Sequence, residues 1–146
     1  MLARMIVETG TSTLYKALGA YAKDRDEPVL VQICHNIHKD EVYHYDNFEE
    51  GFKKYNKQEK LGKIDITKII YSRLREANDE DIAIAFKYIR NGEDYETFRK
   101  LIGTFSKQYY PYNMATKMLM RPLQLNKYLE NATASTVQGA LRILGI

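Results

Sequence analysis

Apolar residues recur every three to four positions along almost the whole chain, the signature of amphipathic helices. The first stretch, Leu2 to about Lys23, has Met5, Ile6, Leu14, Ala17, Leu18 and Tyr21 as its apolar positions. Asp24 to Pro28 breaks the pattern, with Asp26 as the expected N-cap and Pro28 in the first turn of the next helix. That helix should run to about Tyr55 on a stripe of Leu30, Ile33, Cys34, Ile37, Phe48 and Phe52, and Asn56 to Gly62 reads as a lysine-rich turn.

Beyond the turn, Asp65 should open a helix through about Glu76 with Ile66, Ile69, Ile70 and Leu74 as its stripe. Asn78-Asp79 should cap a separate helix carrying Ile82, Ala85, Phe86 and Ile89, which Asn91-Gly92 should end. Further helices are expected over Tyr95–Tyr110, Tyr112 to about Met120, and Leu125–Leu144. No alternating strand pattern or repeat occurs, so the expected class is all-α, folded as one helical domain over 1–146. No N-cap precedes Leu2, which leads us to expect a shortened chain or a fragment.

Composition narrows the class only a little. A chain of 146 residues with 45% hydrophobic and 28% charged content can build one real core. One cysteine excludes a disulfide framework and points to a reducing, cytoplasmic setting. No apolar run reaches the length of a membrane span, and the start lacks the cleavage pattern of a signal peptide. The net charge of +3 is mild but unevenly spread: nine Lys and Arg face four Asp and Glu from Lys87 onward, against 13 and 15 before it. Either this is an ordinary solvated surface, or the second half presents a basic face to an acidic partner. No aromatic-basic motif supports nucleic-acid binding.

The chemistry lies where the second stripe crosses polar residues. Carried through its gap, the stripe passes over Glu41 and His44, a Glu-x-x-His pair on one helix face. A carboxylate and an imidazole on a core face need partners, and a metal ion supplies them. Asp40 could hold the outer nitrogen of a ligating histidine. Glu8, on the face of Met5, Ser12 and Tyr15, comes level with Glu41 if the two helices form an antiparallel hairpin, and Gly10 to Thr13 are small enough to leave room. Two carboxylates and an imidazole suit iron or manganese. The alternative is a buried, metal-free ion pair. His38, one turn before Glu41, is either a substitute ligand or a packed side chain. Tyr15, Tyr43 and Tyr45 are close enough in sequence to line such a site. Cys34 reads as a core residue, Met114, Met118 and Met120 as core or a contact surface, and Asn78 to Asp81 as a helix start and not a calcium loop.

The run LVQICHNIHKDEVYHYDNF, with Gln32-Ile33-Cys34, Ile37 and Asp40-Glu41 followed by His44, resembles the second metal-ligand helix of the plant-type acyl-carrier-protein desaturases and their ferritin-like relatives. The resemblance covers Met5 to Phe52. It implies a ferritin-like helical bundle whose first 60 residues form half of a four-helix unit, with the helices from about 64 to 146 packed around it. It makes Glu8, Glu41 and His44 ligands of a di-iron site and Asp40 an outer group. By the same resemblance the chain would be an oxidoreductase of desaturase or oxygenase type with an acidic carrier protein or electron donor as partner. The departure is that the chain has a single Glu-x-x-His, its three histidines being His35, His38 and His44. Di-iron bundles use a glutamate from each of two helices and Glu-x-x-His from each of two others. A two-fold homodimer would supply the missing half; otherwise the chain is a degenerate, metal-free relative with a structural or interaction role.

Overall fold

The computed structural model describes residues 1–89 and 94–144, and among these every regular element is helical, with no strand. In order they are α1 (Leu2–Lys23), α2 (Pro28–Glu59), α3 (Lys63–Ile89), α4 (Tyr95–Tyr109), α5 (Tyr112–Met120), a 3₁₀ turn (Arg121–Leu123) and α6 (Lys127–Leu144). No helix of the described residues is long and apolar enough to cross a membrane.

The long pair α1 and α2 forms an antiparallel hairpin, the most extensive packing in the molecule. The helices approach closely at Gly19, where a Cβ would stand 3.3 Å from that of Cys34. At the far end, Gly51 lies against the flexible Met1 side chain. Helices α3, α4 and α5 pack against α1, and α6 against α5. Two buried clusters result. Leu2, Met5, Tyr45, Phe52, Ile66 and Met118 join the hairpin to α3 and α5, and Ile6, Tyr112, Ala115, Leu119 and Leu141 join α1 to α5 and α6. Cys34, Met118 and Met120 are buried, as packing residues would be, and burial pushes the Cys34 thiol up.

Several boundaries differ from expectation. Glu27, not Asp26, is the N-cap of α2, with Pro28 in the first turn; Asp26 sits in the left-handed region at φ 54 and serves the turn. The second helix continues through Asn56 to Glu59 and stops at Lys60, also left-handed, while the Asn56 side chain accepts from the Leu61 amide at 2.8 Å. The two helices expected on either side of Asn78-Asp79 are one continuous helix, α3. No glycine or proline interrupts Lys63–Ile89, so an Asn-Asp pair alone does not end it. The side chains of Ile82, Ala85 and Ile89 and the expected stop at Asn91-Gly92 lie outside the described residues. Asp94 caps α4 by accepting from the Thr97 amide and hydroxyl, and Asn126 caps α6 through the Leu129 amide.

The core face of α2 is also rotated from the expected stripe. Cys34, Tyr45, Glu49 and Phe52 are buried, Leu30, Ile37 and Phe48 are half-buried, and Ile33 is 48% exposed. On α1, Leu14 is 49% exposed.

Candidate metal centre

Glu8 projects from the middle of α1, buried beside hydroxyl residues whose own needs are met locally. Thr9 donates to the Met5 carbonyl at 2.8 Å and Thr13 to the Thr9 carbonyl at 2.6 Å, so neither competes for the carboxyl group. The antiparallel hairpin sets Glu41 of α2 opposite, and His44, three residues on, points to the same place. His44 Nδ1 stands 3.5 Å from a Glu41 oxygen and 4.0 Å from a Glu8 oxygen. One ligand atom from each of the three residues lies within 4.8 Å of the others, the only such grouping of acidic, histidine or cysteine side chains among the described residues. Glu8 is buried, Glu41 half-buried and His44 about half exposed, so the cluster is set in the hairpin and opens outward.

The two carboxyl groups are hydrogen-bonded and cannot both ionise cheaply. Burial, and then the hydrogen bond to Glu41 with its charge, pushes the Glu8 carboxyl up to about 7, against the pull of His44 and Arg4. Glu41 is held below the usual carboxylate range, first by the hydrogen bond from Glu8, then by His44 and Thr11. Near neutrality the pair therefore shares one proton, held on Glu8, and one negative charge, held on Glu41. A divalent cation among the three ligand atoms would replace that proton, and the donor set, two carboxylates and an imidazole, fits iron or manganese.

The other expected residues lie apart. His38 Nδ1 donates to the Ser12 carbonyl at 2.9 Å, bridging the two helices; the carbonyl can only accept, so the proton sits on Nδ1. His38 is not part of the three-residue cluster. Asp40 is exposed and makes no hydrogen bond to His44. Tyr43 is 67% exposed, with its ring 6.5 Å from that of His44, whereas Tyr45, one turn beyond Glu41 on α2, is fully buried in the core.

Around Tyr45 lies a second polar cluster which sequence reasoning did not single out. Arg121, in the 3₁₀ turn, pairs with Asp46 at 3.0 Å and with the buried Glu49, which also pairs with Lys53 at 2.8 Å. The Arg121 guanidinium lies over the Tyr45 ring, 5.1 Å from its centre, and the Tyr45 hydroxyl donates to the Met118 carbonyl. These contacts fasten the end of α5 to α2. Glu49 follows Tyr45 by four residues on the buried face, which is the one signal the sequence carries. Its partner Arg121 is remote in the chain.

No protein-family model, curated protein or solved structure matches this chain.

Proposed function

We propose that this chain is a ferritin-like, non-haem metal protein of oxidoreductase type, with Glu8, Glu41 and His44 holding iron or manganese in a dinuclear centre. One observation carries the reading: two helices bring two carboxyl groups, one of them buried, and an imidazole within 4.8 Å of one another. Two carboxyl groups this close cannot both ionise cheaply unless a proton or a cation lies between them, and a cation also engages the imidazole. When bound, the metal would supply redox chemistry with dioxygen. The chain's own residues would then act in defined ways. Glu8 gives up its proton as it becomes a ligand, Glu41 supplies a standing negative charge, and His44 offers Nδ1, the nitrogen facing both carboxyl groups.

The resemblance in Met5–Phe52 supports a fatty-acyl substrate on an acidic carrier, which the basic second half would suit. An apolar cleft of about 440 Å³ between Met1, Leu2, Phe52, Leu61 and Ile69, at the Met1 end of the hairpin, could take a chain of that kind. A cytoplasmic setting accords with the free thiol of Cys34.

Elemental analysis of purified protein after anaerobic exposure to iron(II) or manganese(II) tests the reading. About one metal per chain, abolished in Glu41→Ala, is the expected result. A protein that takes up neither ion overturns it. The second reading, a metal-free relative acting in structure or interaction, is favoured by the shared proton, which satisfies Glu8 and Glu41 without an ion, and by the exposure of His44.

A further inference from the structure

We infer that a second copy of this chain docks across the open face of the α1–α2 hairpin and completes the metal centre, an inference that rests on the metal-site reading above. Helix α1 has one side against α2 and another against α3, α4 and α5. On its remaining side lie Val7, Thr11, Leu14 and Leu18, at spacings of four, three and four, which place them in one line. The corresponding line on α2 holds Ile33 and Ile37, then the polar Asp40 and His44 beside the ligands. Val7 is 51% exposed, Leu14 49% and Ile33 48%. An apolar stripe of this kind along two adjacent helices is the pattern of a buried bundle interface, not of a solvated surface.

The ligands sit in the same place. Glu8, Glu41 and His44 occupy the seam between the two lines, with His44 turned outward. Three residues leave a hard divalent cation with positions to fill. Two hairpins related by a two-fold axis beside the seam would bring four glutamates and two histidines together. That is one glutamate from each of two helices and Glu-x-x-His from each of the other two, the full donor set of a dinuclear carboxylate centre. Any unrelated partner would need to carry the same donors, whereas an isologous contact supplies them by symmetry. The area also suffices. The 22 residues of α1 span about 33 Å, and two helices side by side are about 20 Å wide. Each copy would cover roughly 650 Å² in plan, within the range of a specific interface once both sides are counted.

The test measures mass by light scattering and metal by elemental analysis on the full chain, with manganese(II) as the probe. It compares the parent with Leu14→Lys and Ile33→Lys, neither of which is a ligand. Both positions are half exposed, and circular dichroism should show that helix content is kept. The expected parent is a particle of twice the 17.0 kDa chain mass. It should hold one manganese per chain and show the magnetic-resonance signature of coupled ions. Either substitution should give monomers, lose the coupled signal and weaken retention of manganese at least tenfold. A monomeric parent that binds one isolated manganese per chain overturns the inference, and the dinuclear centre with it, while Glu8, Glu41 and His44 stand as ligands of a single ion. A dimer indifferent to both substitutions also overturns the inference. A chain that binds neither manganese nor iron overturns the metal-site reading, and this inference with it.

Discussion

The carboxyl groups of Glu8 and Glu41 meet across the hairpin, one from each helix, in a hydrogen bond that leaves a proton on Glu8 and a charge on Glu41. Neither helix alone would create this pair. It exists because the approach of the backbones at Gly19 and the length of the hairpin bring position 8 level with position 41. The pair makes the stability of the metal-free protein sensitive to pH.

The first prediction concerns that sensitivity. The Glu8 carboxyl titrates at about 7 in the folded chain, above its ordinary 4.5, so the stability it contributes is full at low pH and is lost as pH rises through 7. Glu41 is shifted the other way, and its contribution is lost only on acidification below the usual carboxylate range. Urea unfolding of metal-free protein should therefore show stability falling between about pH 5 and 7.5, by at most about 3 kcal/mol. Glu8→Gln should flatten that fall. An unchanged slope in the variant would show that Glu8 does not hold the proton.

Metal binding should displace the same proton. Titration calorimetry with manganese(II) in two buffers of different ionisation heat should give close to one proton released per site at pH 6 and close to none at pH 8. Glu8→Gln should release none at either pH. Excess metal should also stabilise the fold, by about 2.7 kcal/mol at a hundred times the dissociation constant. A release that does not change between pH 6 and 8 would separate the metal from Glu8.

The two histidines on the hairpin should separate cleanly. His38 spends Nδ1 on the Ser12 carbonyl, so His38→Ala should cost about 1 kcal/mol of stability and leave metal affinity within a factor of two. His44 is half exposed and faces the carboxyl groups, so His44→Ala should weaken metal binding at least tenfold with little change in unfolding. Melting curves and metal titrations on both variants make the comparison, and a strong loss of metal in His38→Ala would reverse the assignment.

Much of this arrangement is legible in the sequence for a physical reason. Helical periodicity fixes α1 and α2 to within a few residues, and three-residue spacing puts Glu41 and His44 on one face whatever else the chain does. The three-residue cluster follows once the helices are antiparallel. What is not legible is rotation. Apolar side chains such as Leu14 and Ile33 look like core in a one-dimensional stripe, yet the third dimension turns them outward and buries Tyr45 and Glu49 instead. The Asn78-Asp79 pair misleads because capping preference is local, whereas a run without glycine or proline continues as helix unless something competes. The Glu49–Arg121 pairing joins distant residues by tertiary packing, which no local pattern encodes.

That pairing supports the last prediction. Glu49 is buried, and Arg121 and Lys53 are its cationic partners. Removing Arg121 leaves the carboxylate with Lys53 alone and frees the end of α5, so Arg121→Ala should cost about 2–3 kcal/mol in urea unfolding. Glu49→Gln removes the buried charge, and the Glu49→Gln/Arg121→Ala double variant should lose less than the sum of the two singles, giving a coupling of about 1–2 kcal/mol. Tyr45→Phe should cost about 1–2 kcal/mol more locally, because the buried Met118 carbonyl then loses its donor. None of the three changes should abolish metal binding, since none of these residues belongs to the Glu8–Glu41–His44 cluster. Strict additivity of Glu49→Gln and Arg121→Ala would mean that the buried carboxylate is held by Lys53 and its surroundings, and that Arg121 fastens α5 to α2 through Asp46 and the Tyr45 ring alone.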